Sequence, residues 1–422
     1  MESLFQLPAL YPVFEDEETG IHAVFYQGVP YKGKETRVFA YYGMPKIEEH
    51  KQDEIPKQVP GIILVHGGAG SAFSHWVKQW NDRGYAAIAM DLEGQVPFAS
   101  YDNINASSGD HLSMDPSQSH FSAHPWSGPL KQGVFADYGE ELQDQWMYHA
   151  VAAVLSAHTI LRSLPGVDVD HIGITGISWG GIITSLVSGL DRRLSFAMPV
   201  YGCGYLYEPG TLYGLGFAVM PPATAEHLRS LWDPSSYLHQ SKIPMLWLNG
   251  SQDSHFPLSI FVKSYEQHEH HYEDAPLHSR LSIQHGLPHT YPAAWSCEES
   301  YAFADSITRE GPALIRILRT EQDEEQVQVV FQSPLEVTKA ELYWCEDDSN
   351  WRSANWYLEE AILHKDGNRT DLGEAHVSLP TIGGVFFMQL TNARGWITSS
   401  RVMRDHRVVQ DSSSRMKKGK ET

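Results

Sequence analysis

The chain has 422 residues, 42% hydrophobic and 20% charged, a balance that excludes global disorder and leaves room for two or three domains. Its 52 acidic against 31 basic residues give a net charge of -21, which repels phosphate backbones and anionic lipid and argues against nucleic-acid and membrane partners. Three scattered cysteines, Cys203, Cys297 and Cys345, cannot build a disulfide framework and include no Cys-x-x-Cys pair for structural zinc. The first residues carry Glu2 and no positive region, unlike a secretory signal, and the basic run Lys417, Lys418 and Lys420 reads as a solvated tail. A cytoplasmic protein is the expectation.

Residues 22–43 alternate as two strands around the turn Lys32-Gly33-Lys34. After the polar stretch Glu48 to Lys57, the continuous apolar run Gly61 to Val65 has the character of a strand buried on both faces of a parallel sheet. Ala86 to Met90, Ile172 to Ile174, Phe196 to Val200 and Met245 to Leu248 are of the same kind. Between them, Trp146, Ala150, Val154, Ala157, Leu161 and Leu164 fall on one face of a helix over 145–164. Strands alternating with helices predict an α/β domain with a mostly parallel sheet. Two long loops, 95–130 and 204–235, are candidates for a functional role. Beyond Gly311 the pattern turns to short alternating strands, such as Val327 to Phe331, Ala340 to Trp344 and Gly384 to Leu390, with turns at Asp366-Gly367 and Ala393-Arg394-Gly395. The expected organisation is an α/β catalytic domain over 1–310, a small all-β, sandwich-like domain over 311–410, and a disordered tail over 411–422.

The strongest chemical signal is Gly176-Ile177-Ser178-Trp179-Gly180-Gly181, between a short strand and a helical run. Gly-x-Ser-x-Gly in that setting is a nucleophile elbow: flanking glycines relieve the crowding of a sharp turn that projects the serine hydroxyl. Gly181 is expected to let the following helix pack closely on a neighbour. The glycine-rich His66-Gly67-Gly68-Ala69-Gly70 follows the buried strand. No Gly-Lys-Ser/Thr follows it, which excludes a P-loop. Its backbone N–H groups, at Gly68 or Gly67, and that of Trp179 fit an oxyanion hole. Downstream, the strand ending at Leu248 runs into Asp253, placed to orient a histidine, and His285 and His289 both follow in the chain order that such a triad requires.

Other groupings have plainer readings. His268, His270 and His271 could hold a metal but read as the exposed end of a helix, so no metal is expected. Asn368-Arg369-Thr370 fits a glycosylation sequon and reads as a surface turn. Trp76, Trp80, Trp126 and Trp179 are each core by default; Tyr205, Tyr207 and Tyr213, in the glycine-rich loop, and Trp126 are the candidates to line a cleft and bind substrate.

In this order the chain resembles the α/β-hydrolase fold over residues 20–310. More closely it resembles bacterial proteins of the dienelactone-hydrolase-like, acetylxylan-esterase-like group. The likeness is carried by Leu64 to Gly68, Arg83 to Asp91, Gly173 to Gly181, Val200 to Gly204 and Met245 to Asp253. Dienelactone hydrolases use a cysteine nucleophile, and Ser178 in its place moves the reading to oxygen esters. The resemblance implies a serine hydrolase of carboxylic esters, a carbohydrate O-acetyl esterase, working through a Ser-His-Asp triad and an acyl-enzyme without a cofactor. For the base, the strand Arg280 to Gln284 continues into His285, whereas His289 lies beyond Gly286-Leu287-Pro288 on a loop free to bend. Ser296 and Glu299 suggest a capping box that ends this loop. Alignment with the resembling proteins from Tyr301-Ala302-Phe303-Ala304-Asp305 also lands on His289. Two other readings compete: a serine peptidase of the prolyl-oligopeptidase kind, for which too few residues precede Gly61 to make a propeller, and a non-catalytic glycan-binding scaffold, against which the intact Ser, Asp, His and glycine loop speaks.

Overall fold

The computed structural model describes residues 2–46, 58–98, 121–270, 279–323, 325–346, 353–365, 369, 371–379 and 384–405. The stretch Glu48 to Lys57, the middle of the 95–130 loop, His271, the turn Asp366-Gly367, Asn368 and the 411–422 tail lie outside the described residues. The chain forms two compact units, Met1–Pro244 and Met245–Thr422.

The first unit contains β1 (Leu10–Asp16), β2 (Ile21–Gln27), β3 (Arg37–Gly43), β4 (Val59–Val65), α1 (Ser74–Asp82) and β5 (Ala86–Met90). There follow the short β6 (Gln95–Val96) and β7 (Ser122–Ala123), then α2 (Trp146–Ser163), β8 (Val167–Ile177), α3 (Trp179–Leu190), β9 (Phe196–Val200), α4 (Leu212–Ala218) and α5 (Pro222–Trp232). The strand order is β1-β2-β3-β5-β4-β8-β9. Antiparallel pairing joins β1 to β2, β2 to β3 and β3 to β5. The run β5-β4-β8-β9 is parallel, with Ile63 of β4 set between Ile88 and Ile174. Every residue of β5 and β9 is buried, as the apolar runs require of strands covered on both faces.

Helix α2 departs from the one-faced pattern expected of it, being buried without a break from Ala150 to Leu161. The outer face is covered by the start of the chain: Thr159 Oγ1, one turn from the helix end, donates to the carbonyl of Leu4 at 3.2 Å. Tyr26 of β2 closes the inner side, its hydroxyl donating to Ala153 O at 2.8 Å.

In the second unit, β10 (Leu246–Gly250) pairs in parallel with β11 (Arg280–Gln284), and α6 (Leu258–His270), α7 (Tyr291–Trp295) and α8 (Glu298–Thr308) accompany them. The remaining strands are antiparallel: β12 (Arg316–Gln322), β13 (Gln326–Gln332), β14 (Val337–Cys345), β15 (Tyr357–Glu360), β16 (Ile362–Lys365), β17 (Leu372–Ser378), β18 (Val385–Asn392), β19 (Ile397–Ser399) and β20 (Met403–Arg404). They form one sheet ordered β12-β13-β17-β16 and another ordered β15-β14-β18-β19, with β20 on β18. Alternate residues of both, including Val327, Val329 and Ala375 from the first and Leu342, Phe386 and Met388 from the second, share one core. That is a sandwich.

The expected division near 310 falls inside this second unit. Ser282 Oγ of β11 donates to Ile397 O at 2.8 Å, and Ser399 Oγ accepts from Ile283 N at 2.9 Å. Glu299 also departs from expectation: Cys297 is the N-cap of α8 and makes no side-chain cap bond. The Glu299 carboxylate accepts from Ile397 N at 2.8 Å, so a partner distant in sequence has displaced the local cap. Helix α7 occupies part of the expected loop, capped by Thr290, whose hydroxyl accepts from Ala293 N. The three cysteines are buried and form no disulfide, and among the described residues no helix is long and apolar enough to cross a membrane.

One buried ionic cluster ties α2 to the end of α3. Asp191 accepts from Arg193 Nε at 2.8 Å and from its terminal nitrogen at 2.7 Å, and His158 Nδ1 lies 2.8 Å from the same carboxylate. Burial raises this carboxyl, but the Arg193 and His158 hydrogen bonds outweigh it and hold Asp191 well below the usual carboxylate range. Asp191→Ala removes the carboxylate shared by the buried His158 imidazole and the partly buried Arg193 guanidinium, and is expected to lower unfolding free energy by about 3 kcal/mol. Removing the exposed Lys78–Asp82 pair should change it by no more than about 0.5 kcal/mol. Urea denaturation of both variants measures the contrast.

Candidate active site

Ser178 sits between β8 and α3 with φ 58° and ψ −115°, a conformation that side chains other than glycine rarely adopt. Its amide donates to Val200 O at 2.9 Å and its carbonyl accepts from Ile182 N at 3.0 Å, so the turn is held at both ends. The neighbouring glycines are steric necessities: a Cβ at Gly180 would collide with the Val65 carbonyl, and one at Gly176 with the Gly180 carbonyl. At Gly181 a Cβ would come within 2.7 Å of Gly202 N and 2.8 Å of Val200 O, which is the close packing expected of it.

The 66–70 loop is fixed by His66. Leu92 N–H donates to its Nε2 at 2.9 Å, so the ring proton is on Nδ1, which donates to Gly67 O at 2.7 Å. Burial lowers His66 to about 4, keeping it neutral in this role. The loop also includes Ala69 at φ 57°. Gly68 lies against the Trp179 indole, where an added Cβ would stand 3.3 Å from Cδ1. The structure therefore brings Gly68 and Trp179 together, and the Trp179 amide is at the first position of α3, where helical N–H groups lack intrahelical acceptors.

An aromatic wall surrounds Trp179. Phe135, Trp146 and Tyr213 meet it edge-on at ring separations of 5.6, 5.4 and 5.3 Å, and Lys131 Nζ lies 5.2 Å from the ring centre. Such pairs contribute roughly 0.5–1.5 kcal/mol each beyond burial. Tyr213 is 2% exposed and forms part of this wall's interior. Tyr205 and Tyr207 are neighbours at 6.2 Å, and Tyr207 extends the wall through Phe217 at 6.3 Å. Trp126 is elsewhere: it stacks on the Arg37 guanidinium at 4.1 Å and packs against Phe25 of β2. The 204–235 loop owes its shape to Asp233, which is fully buried and accepts from the amides of Tyr205, Leu206 and Ser235 at 2.8–2.9 Å.

In the second unit, Asp253 and His289 are paired. The distance from His289 Nδ1 to Asp253 Oδ2 is 2.6 Å, and the carboxylate is fully buried. Asp253 Oδ1 accepts from His255 N at 2.8 Å and Phe256 N at 2.7 Å, so the acid is pinned by backbone before it meets the imidazole. Phe256 stacks parallel to the His289 ring at 6.0 Å. His285 has other partners: Ser251 Oγ lies 3.0 Å from its Nδ1, its amide donates to Gln389, and its ring stacks on Tyr343 at 4.7 Å. Burial lowers its basicity. His268 is not at an exposed helix end but wholly buried, 6.3 Å from the Trp247 ring. Lys131, Phe135, Trp146, Asp233 and His255 were not singled out from the sequence as site residues. Asp233 precedes Pro234 in a turn-like setting, the one local signal among them.

The acetyl xylan esterase (AXE1) family model matches residues 7–207. Among solved structures, the acetyl xylan esterase from Paenibacillus sp. R4 is 18% identical with a TM-score of 0.49, covering 72% of this chain and 92% of that one. The acetyl xylan esterase 1 from Thermoanaerobacterium sp. JW/SL YS485 is likewise 18% identical with a TM-score of 0.46, over 69% of this chain and 84% of that one. A probable dipeptidyl-peptidase 5 of Aspergillus clavatus is 22% identical over 236 residues, half of this chain. The chain spans about a quarter of the length of the curated relatives it matches, 27% and 26%. Over residues 7–207 the chain resembles the acetyl xylan esterase family, and its mostly parallel sheet with flanking helices is the architecture expected from the sequence.

Asp233→Asn turns one of the accepting oxygens into a donor facing a backbone N–H. The 205–235 loop should then open locally, with faster limited proteolysis there and little change at β4 or β8. Mass mapping of the first cleavage sites reads this directly.

Proposed function

We propose that this protein is a serine hydrolase of carboxylic esters that removes acetyl groups from carbohydrate. The observation that carries the reading is Ser178 in its left-handed turn, flanked by glycines and followed by the Trp179 amide. The family match over 7–207 supports the ester chemistry and the carbohydrate substrate class.

In this mechanism Ser178 Oγ attacks the acyl carbonyl while His289 Nε2 takes the hydroxyl proton. Asp253, bonded to Nδ1, keeps the basic lone pair on Nε2 and stabilises the imidazolium that forms. The amides of Trp179 and Gly68, or Gly67, hold the oxyanion; each such donor is worth roughly 3 kcal/mol of transition-state stabilisation. The tetrahedral intermediate collapses as His289 returns the proton to the leaving alcohol, giving an acyl-enzyme. Water then repeats the sequence and releases acetate. The bulky wall of Phe135, Trp146 and Tyr213 beside the elbow suits a short acyl group, while Tyr205 and Tyr207 suit stacking on a sugar ring. The peptidase relatives make peptide hydrolysis the second reading.

On p-nitrophenyl esters, acetyl and propionyl substrates are expected to exceed octanoyl in kcat/KM, with acetylated xylan and acetylated monosaccharides also turned over. A preference for octanoyl esters, or hydrolysis of peptides alone, contradicts the acetyl-ester assignment. His289→Ala should lose several orders of magnitude in kcat, and His285→Ala should stay near wild type. Steady-state kinetics with circular dichroism as a folding control decides between the histidines.

A further inference from the structure

His255 is the residue beside the acid–base pair that the proposed mechanism leaves without a task. Its ring lies over His289, with centroids 4.4 Å apart and planes inclined by 34°. One ligand atom from each of Asp253, His255 and His289 lies within 4.8 Å of the others. Asp253 is buried and the two histidines are half-buried, unlike the exposed acidic groups that gather on a surface by chance. Ser254 Oγ, 2.8 Å from His255 Nδ1, helps set that ring's orientation.

We infer that Asp253, His255 and His289 form a three-ligand site for a borderline divalent cation, with zinc as the best match, and that its occupation switches the hydrolase off. Two imidazoles and a carboxylate are a nitrogen-rich donor set that suits zinc, whereas magnesium prefers an all-oxygen octahedron. Ligand atoms on a tetrahedral zinc stand roughly 3.3 Å apart, given Zn–N bonds of about 2.0 Å. Small side-chain rotations would bring the group to that spacing, with the Asp253–His289 hydrogen bond opening to admit the ion. The inhibition follows from the imidazole's two nitrogens. An ion on His289 Nδ1 takes the place of the proton there and fixes it on Nε2; an ion on Nε2 uses that lone pair itself. Either way His289 can no longer accept a proton from Ser178. No bond to substrate is involved, and removing the ion restores the original tautomer.

The inhibitory consequence rests on the esterase reading, but binding of the ion does not, so the two are read separately. Zinc is titrated calorimetrically into full-length Ser178→Ala protein, which has no turnover to interfere. One zinc per chain is expected, with affinity at least about 100-fold weaker once His255→Gln is added, since loss of a ligand should exceed the 10–100-fold effect of outer-shell changes. Magnesium should give no binding isotherm. In the wild-type protein, zinc should inhibit p-nitrophenyl acetate hydrolysis, EDTA should reverse it, and His255→Gln should raise the inhibition constant by the same factor as the dissociation constant. Equal zinc affinity with and without His255, or no binding to Ser178→Ala protein whose circular dichroism matches wild type, overturns the site. Binding without inhibition of an active enzyme overturns the switch. Binding to a protein that hydrolyses no ester supports the site and counts against the esterase reading instead.

Discussion

A backbone conformation at Ser178, φ 58° and ψ −115°, constrains everything packed around it. Holding a non-glycine residue there costs of order 1–3 kcal/mol, which only surrounding structure can sustain. The sustaining parts come from four elements of the first unit. Strand β8 delivers the chain, the end of β9 accepts the Ser178 amide through Val200, the end of β4 presents its Val65 carbonyl to Gly180, and α3 begins at once and takes up the serine carbonyl through Ile182. At Gly176, Gly180 and Gly181 the approach is so close that only glycine fits. The sequence pattern of the elbow is thus a record of backbone against backbone, with the half-buried serine carried at the turn.

A second economy lies in proton placement. His66 and His289 are both histidines whose tautomer is fixed by what meets one nitrogen, yet the outcomes differ. His66 is fully buried, receives a backbone N–H on Nε2 and gives its Nδ1 proton to Gly67; burial lowers it to about 4, so it acts as a neutral strut for the glycine loop. His289 has a carboxylate, not a carbonyl, at Nδ1, at 2.6 Å. The same side chain is a rigid strut in one place and, in the mechanism proposed above, the proton acceptor in the other. The two histidines beside the pair differ again: His285 is drawn into the sandwich strands by Gln389 and Tyr343, and His255 rests on His289 itself.

The residues legible in the sequence were those whose chemistry is enforced locally. The apolar runs of β4, β5 and β9, the Gly-x-Ser-x-Gly turn and the glycine loop each announce themselves within a few residues, because buried strands and tight turns admit few alternatives. The pairing of Asp253 with His289 was readable from chain order and from the Gly286-Leu287-Pro288 break. What could not be read depends on partners far along the chain. Glu299 looks like a capping residue until Ile397 claims it, and α2 looks amphipathic until the residues near Leu4 cover its outer face. Lys131, Phe135 and Trp146 join the wall at Trp179 from a segment with no motif, and Asp233 shapes its loop through amides nearly thirty residues upstream. The grouping of 245–310 with the sandwich strands draws on Ser282 and Ser399, two serines that no pattern singles out, together with Glu299 and His285.

The central claim is that Ser178 is an activated nucleophile. Treating the full-length protein with a fluorophosphonate and locating the adduct by peptide mass mapping tests it most directly, since such reagents phosphonylate an activated serine and spare ordinary hydroxyls. One adduct per chain, on the peptide containing Ser178, is the predicted result. An unlabelled protein, or label on another serine such as Ser71 or Ser251, would contradict it.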